Sequence, residues 1–269
     1  MQVVTSAAAS MPRISVVTIN REMREGLETT IRSVLAQTYP NLEYLVIDGN
    51  SCDGSRALIK RFGSRIDYWV SEPDSGIYDA MNKGARAATG EWVIFMNAGD
   101  RFHENESVAD VFSEPHLDAD LVYGHSLRCY ARESVQRFVK AESLEALPLR
   151  MNCSHQSLFT RRGLLLENPF SVGMIASDYE FLVRMYDARR RFKIVDRTIS
   201  VNVNGGVSDV RRLRSLAERA RIARRYGLMT PRRALTYVNM GLRAGFGIRV
   251  RRALPKALAT WILARGSVL

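Results

Sequence analysis

Three acidic sites could carry chemistry in this chain. Asp48 and Asp53 share the loop DGNSCDG, Asp100 ends the loop NAGD, and Asp178 stands in IASDYEF. Each falls in a loop that follows a predicted strand. Carboxylates that converge beside the carboxyl edge of a sheet can hold a divalent cation, which neutralises a diphosphate leaving group. One further carboxylate can then take a proton from an attacking hydroxyl. A lone Asp is best read as a turn or cap residue. Together they are not explained as turns alone.

The elements that must position them alternate between strand and helix. After Pro12, Ile14 to Ile19 makes a β-branched first strand, and Leu27, Ile31, Val34 and Leu35 recur at helical spacing between Glu22 and Gln37. Leu42 to Ile47 is a second strand that delivers Asp48, followed by a helix over Ser55 to Phe62 and a third strand over Ile66 to Val70. Asp74-Ser75-Gly76 form a turn, Asn82 to Ala88 is helical, and Thr89-Gly90 stops that helix. Trp92 to Met96 is an unbroken apolar run, as a strand covered on both faces should be. It delivers Asn97-Ala98-Gly99-Asp100. The alternation predicts βαβ units and a largely parallel sheet, with ligands at the carboxyl ends of its strands. No GxGxxG fingerprint or P-loop follows the first strand, so a dinucleotide or ATP cradle is disfavoured. The body continues with a strand over Asp120 to Tyr123, a hairpin within 126–145 and a strand over His155 to Thr160. A helix led by Asp178 and a last strand within Phe192 to Val203 complete it, and Gly205-Gly206 reads as a turn.

Composition narrows the setting. Three cysteines, Cys52, Cys129 and Cys153, are odd in number and widely spaced, which predicts a reducing cytosolic protein without a disulfide framework. Residues 1–11 read as a disordered leader, not a signal peptide. No apolar run approaches the roughly 20 residues that span a bilayer. The net charge of +11 is concentrated at one end: residues 211–269 hold fourteen Arg, one Lys and a single acid, Glu218, leaving 24 basic and 27 acidic residues in the rest. Ser208, Thr230-Pro231 and Pro255 each could open a basic amphipathic helix there. Such a tail suits an anionic membrane surface. Packing on the body or pairing of two copies as a homodimer is the plainer use of it. A nucleic-acid-binding protein using the basic tail is the weaker rival, because the body is not basic and the loop acids would go unexplained.

Five segments carry a resemblance: PRISVVTIN at 12–20, IRSVLAQTYPNLEYLVIDGNSCDGS at 31–55, SEPDSGIYDAMNKGARAATGEWVIFMNAGD at 71–100, HQSLFTRR at 155–162 and IASDYEFLVR at 175–184. In this order they resemble the family-2 glycosyltransferases of GT-A fold that build bacterial surface polysaccharides. The resemblance implies an α/β Rossmann-like, mostly parallel sheet flanked by helices. It implies a glycosyltransferase domain over 12–208, with a nucleotide-sugar half at 12–100 and an acceptor half at 101–208, and a basic helical extension at 209–269. Inverting transfer from a nucleotide-sugar, most often UDP-linked, to a glycan or lipid-linked acceptor follows from it, on the inner face of the cell membrane.

Roles follow position by position. Thr18 and Asn20 match residues that border the nucleotide; Asp48 matches the acid that recognises the base, and Asp53 a second acid of that loop. Asn82 and Gly84 lie in the helix beside the nucleotide-sugar, and Lys83 takes the cationic role of an Arg that relatives carry where Met81 stands. Asn97, Ala98 and Gly99 border the donor, and Asp100 matches the final acid of the DXD-type motif that places Mg²⁺ or Mn²⁺ on the diphosphate. Asp178 matches the general base of inverting members, and His155 and Gln156 a loop near the donor sugar. The motif here has one carboxylate where many relatives have two, which leaves a non-catalytic sugar-binding scaffold as the rival reading. Tyr78, Trp69 and Trp92 read as packing residues, and His103, His116 and His125 as surface or core histidines.

Overall fold

β1 (Ile14–Asn20) is buried along its whole length and stands at the centre of the parallel half of the sheet. Its neighbours are β2 (Leu42–Asp48) on one side and β4 (Trp92–Phe95) on the other, both parallel, with β3 (Tyr68–Ser71) parallel beyond β2. The alternation of side chains along a strand divides β1 between two cores. Val17 and Ile19 pack with α3 (Ile77–Ala87), whereas Ile14 and Val16 pack with α1 (Arg24–Leu35) and α2 (Ser55–Phe62). A strand with helices on both faces needs apolar residues on both, which Ile14 and Val16 supply on one and Val17 and Ile19 on the other.

This computed structural model describes residues 11–113, 118–130, 135–203 and 211–253, with the backbone alone for Val135 and 246–253. Among the described residues nine strands form one sheet, in the order β3-β2-β1-β4-β8-β6-β9-β5, with β7 paired to β6. β8 (Leu158–Arg161) joins β4 antiparallel, and from there β6 (Leu121–Tyr130), β9 (Phe192–Val203) and β5 (Arg101–Phe102) extend the sheet. β6 and β7 (Val135–Val139) form the expected hairpin. Strand order reverses between β1 and β4, so a crevice is expected outside their carboxyl ends.

Several boundaries differ from the sequence expectation. The helix expected over Asn82 to Ala88 begins earlier, at Ile77, with Gly76 before it at a φ of +116°. A non-glycine residue is strained there, so Gly76 permits the turn that starts the helix. The third strand is Tyr68–Ser71, shifted toward the loop because a short 3-10 turn (Gly63–Arg65) uses up the residues before it. His155–Ser157 is also a 3-10 turn, and the strand begins only at Leu158.

The end of α3 is set at the other edge of the sheet by Glu43, a buried acid of β2. Its carboxylate accepts from Ser15 Oγ, from Thr89 N at 2.8 Å and from Thr89 Oγ1 at 2.7 Å. Gly90 passes so close that a Cβ there would stand 2.5 Å from Ser15 Oγ and 2.8 Å from Arg13 O.

The basic segment continues as α7 (Arg212–Arg225) and α8 (Pro231–Ala253), the latter opened by Pro231 as its position predicts. α7 lies on α6 (Ser177–Asp187): Ile222 enters the core cluster of Phe181 and Leu182, and Arg225 stands 3.7 Å from Glu180. α8 buries Tyr237, whose hydroxyl donates to Pro148 O at 3.2 Å. Its other side exposes Leu235, Val238 and Leu242. No described helix is long and apolar enough to cross a membrane. The leader up to residue 10, Gly205-Gly206, the Ser208 cap and the helix expected at Pro255 lie outside the described residues.

Candidate active site

The parallel register places Asn20, Asp48 and Ser71 side by side at the carboxyl ends of β1, β2 and β3. Asp48 is fully buried, and both oxygens take two donors: Asn20 Nδ2 and Ser51 Oγ, each at 2.6 Å, on Oδ1, then Ser51 N at 3.0 Å and Ser71 Oγ at 2.6 Å on Oδ2. This carboxylate is the knot of the loop. Asn20 Oδ1 beside it is buried and has no hydrogen-bond partner. Asp53 accepts from Ser55 N and Ser55 Oγ with one oxygen and from Arg24 N at 2.7 Å with the other. It thereby satisfies an unpaired donor at the start of α1 and forms the turn before α2. The Thr18 hydroxyl lies deeper, 3.0 Å from Tyr44 OH in the core.

Across the reversal in strand order, the loop Asn97–Asp100 is a tight turn closed by Asp100 N donating to Asn97 O at 2.9 Å. Ala98 N donates to Ile19 O, and Gly99 N to Thr30 Oγ1 at 3.0 Å. The Gly99 φ of +98° explains a glycine at this point. Asp100 is buried; its Oδ1 accepts from Val203 N at 2.8 Å and its Oδ2 from Gln156 Nε2 at 2.6 Å. Burial pushes its carboxyl above the usual range, and those bonds together with the nearby His155 only partly offset that.

Asp178 sits in the first turn of α6 with its side chain 18% exposed. Oδ1 accepts from Tyr78 OH at 3.0 Å and Tyr179 N at 2.8 Å; Oδ2 faces His155 Nδ1 at 3.4 Å. Burial alone would raise its pKa, but the His155 bond and charge, the Tyr179 N–H and the Tyr78 hydroxyl outweigh it and hold the carboxyl below its usual value. Tyr78 remains a donor, because burial and then the Asp178 charge push its phenol well up. The His155 Nε2 atom is 3.0 Å from Asn97 Nδ2. Asn97, His155 and Asp178 thus form one chain from the end of β4 to the start of α6. Asn97 Oδ1 is buried and without a partner. The 3-10 turn explains how neighbouring residues serve two acids: His155 reaches Asp178 while Gln156 reaches Asp100.

The α3 residues have other partners. Asn82 is clasped to Phe170, donating to its O and accepting from its N at 2.9 Å each. Gly84 faces the sheet, where a Cβ would stand 2.3 Å from Val17 Cγ1, so its absence lets α3 seat on β1. Met81 is fully buried. Lys83 pairs with Glu72 at 2.8 Å and donates to Pro73 O at 2.8 Å. The structure therefore gathers Asp178, His155, Gln156, Asn97 and Asp100 at one place, with Asn20 and Asp48 at the neighbouring strand ends. Thr18, Asn82 and Gly84 point into the protein. Tyr78, read from sequence as packing, carries a polar contact to Asp178 as well; a hydroxyl on the apolar side of α3 is the only trace of it in the sequence. Ser51 and Ser71, which hold Asp48, were not singled out.

Whether a divalent cation suits this place can be judged from the donors. Hard cations take oxygen ligands. Asp100 supplies a carboxylate and Asn97 an acceptor oxygen with no other use. Among the described residues no group of three or more His, Cys, Asp and Glu gathers. The Asp100 and Asn97 oxygens are of the kind a hard cation takes, and a magnesium or manganese ion here would draw its remaining ligands from a bound phosphate and water.

Solved structures share this architecture. The Pyrobaculum calidifontis mannosyltransferase PcManGT, in complex with GDP-Man and Mn2+, superposes with a TM-score of 0.64 at 18% identity, covering 96% of this chain and 80% of its own. Residues 1–349 of S. aureus TarS, with UDP-GlcNAc, superpose with a TM-score of 0.62 at 16% identity, covering 94% and 79%. The fold is therefore the α/β GT-A fold of glycosyltransferases. The family model of glycosyl transferase family 2 matches residues 14–167. A PGL/p-HBAD biosynthesis glycosyltransferase of Mycobacterium bovis is 30% identical over 213 residues, 75% of this chain and 80% of the relative. This chain belongs to glycosyl transferase family 2.

Proposed function

We propose that this glycosyltransferase moves a sugar from a nucleotide-diphosphate donor, UDP-linked in the first instance, to a hydroxyl of a growing lipid-linked cell-surface glycan, inverting the anomeric carbon. One observation carries the reading: a carboxylate, Asp178, that accepts from Tyr78 OH and Tyr179 N, faces His155 Nδ1 and is partly open to solvent, tied through His155 to the Asn97–Asp100 loop. Asp178 takes the proton of the acceptor hydroxyl as its oxygen bonds the anomeric carbon and the nucleoside diphosphate departs. Tyr78 and Tyr179 N aim it, and His155 ties its position to the end of β4. Asn20 and Asp48, side by side at the neighbouring strand ends, would border the nucleotide. A magnesium or manganese ion held by Asp100 and Asn97 would supply charge neutralisation to the diphosphate.

The lipid-linked acceptor is supported by α8. Leu235, Val238 and Leu242 are 70%, 58% and 70% exposed, and Arg232 and Arg243 are exposed on the same helix. An apolar stripe flanked by arginines suits the anionic inner face of a membrane. A thermal-shift screen of UDP-, dTDP- and GDP-sugars with Mn²⁺ tests the donor class, because a ligand of the native state raises its melting temperature. A shift with UDP-sugars, followed by transfer giving the opposite anomeric configuration, is the expected result. No shift with any nucleotide-sugar would point to a scaffold.

A further inference from the structure

We infer that Glu218, on the first helix of the basic segment, is a positioning residue for the base, so that α7 belongs to the catalytic machinery. The inference rests on the proposal that Asp178 is that base. Glu218 is the single acid among residues 211–269 and is 4% exposed. An acid in an Arg-rich surface helix would ordinarily lie in solvent with its neighbours. This one turns inward. Its Oε2 accepts from Ile175 N at 2.7 Å and Ala176 N at 3.0 Å, and its Oε1 from Arg214 Nε at 3.2 Å.

Those two N–H groups immediately precede α6, where a chain entering a helix has unpaired donors. The carbonyl of Ile175 accepts from Tyr78 OH at 2.9 Å, and the same hydroxyl reaches Asp178 Oδ1. The peptide before the base is thus held from both sides, by Glu218 on its N–H groups and by Tyr78 on its oxygen. Ala176 O in turn accepts from Glu180 N, closing the first turn around Asp178. Ile222 in the core and Arg225 beside Glu180 keep α7 in place for this contact. Glu218 touches neither Asp178 nor the open side of the site. It acts through the backbone that carries the base.

The test uses the full chain and steady-state transfer with a UDP-sugar. Glu218→Ala is expected to lower kcat by about tenfold to a hundredfold, the scale of a small misplacement of a catalytic group, with KM for the nucleotide-sugar and its thermal shift unchanged. Glu218→Gln keeps one acceptor oxygen and is expected to recover part of the loss. A folded Glu218→Ala protein with wild-type kcat overturns the inference. So does a fall in kcat no larger than the fall in folded fraction, or a loss confined to KM. If Glu218→Ala does not fold, Glu218→Met, which keeps the length of the side chain but has no carboxylate oxygen for Ile175 N and Ala176 N, carries the test, and wild-type kcat in that variant overturns it. Asp178→Asn in parallel separates the two ideas. Transfer surviving there removes the base assignment, and the positioning role with it. A dead Asp178→Asn beside a fully active Glu218→Ala removes the positioning role alone.

Discussion

Replacing Tyr78 by Phe deletes one oxygen and leaves the ring packed against Phe170, with ring centroids 5.6 Å apart. That oxygen shares its proton between Ile175 O at 2.9 Å and Asp178 Oδ1 at 3.0 Å. Two consequences can be separated. A buried polar group that loses its partner costs about 1–3 kcal/mol, and a chain of 269 residues loses roughly 2–4 °C of Tm per kcal/mol. Tyr78→Phe should therefore melt roughly 2–12 °C lower. Asp178 also loses a donor that favours its ionised form, so its proton affinity rises. The acid limb of kcat/KM, placed in the wild type below the ordinary carboxylate range, moves to higher pH. Calorimetry and a pH series of kcat/KM read the two effects independently. A variant with the wild-type Tm and acid limb would show that this hydroxyl holds neither the peptide nor the base.

Other outcomes follow from the same contacts. Glu43→Ala leaves Thr89 N and Gly90 N without their carboxylate and should cost about 3 kcal/mol in urea unfolding. Burial raises the Glu43 pKa, but Ser15, Thr89 and Arg13 more than offset it, so its stabilisation is present above the ordinary value of 4.5 and is lost as pH falls through its lowered folded value. Burial leaves Asp100 above its usual value of 3.8, so its ionisation lowers stability as pH rises through that window. Mn²⁺ should therefore raise Tm most at neutral pH, by about 2.7 kcal/mol of stability at a hundred times its Kd, and Asp100→Asn should abolish the shift. Changing Leu235, Val238 and Leu242 together to Ser should remove flotation with anionic vesicles and leave transfer to a soluble acceptor unchanged; equal flotation would remove α8 from the membrane role.

The elements of the parallel half could be read from the chain because each carries its own signal: β1 is β-branched, the unbroken apolar run of β4 needs cover on both faces, and Leu27, Ile31 and Val34 recur on one face of α1. The loop acids could be found because strand ends are where they must lie. What they touch could not. Asp48 and Asp53 lie close in sequence to Ser51 and Ser55, yet Asp48 also depends on Asn20 and Ser71, brought beside it by the strand register, and Asp53 on the distant Arg24 N. The Tyr78–Asp178 contact spans 100 positions and Asp100–Val203 N spans 103. No local pattern encodes such pairs. Glu218 was legible as the one acid of the tail, but its target before α6 emerges only when α7 packs on α6.

Asp178 is the proposed base. Asp178→Asn keeps a side chain of the same shape in the first turn of α6 and cannot accept the proton. Transfer by the purified variant should fall by about 10²–10⁴-fold, while its affinity for the nucleotide-sugar, read by thermal shift with Mn²⁺, stays close to wild type. Transfer at a wild-type rate would contradict the account.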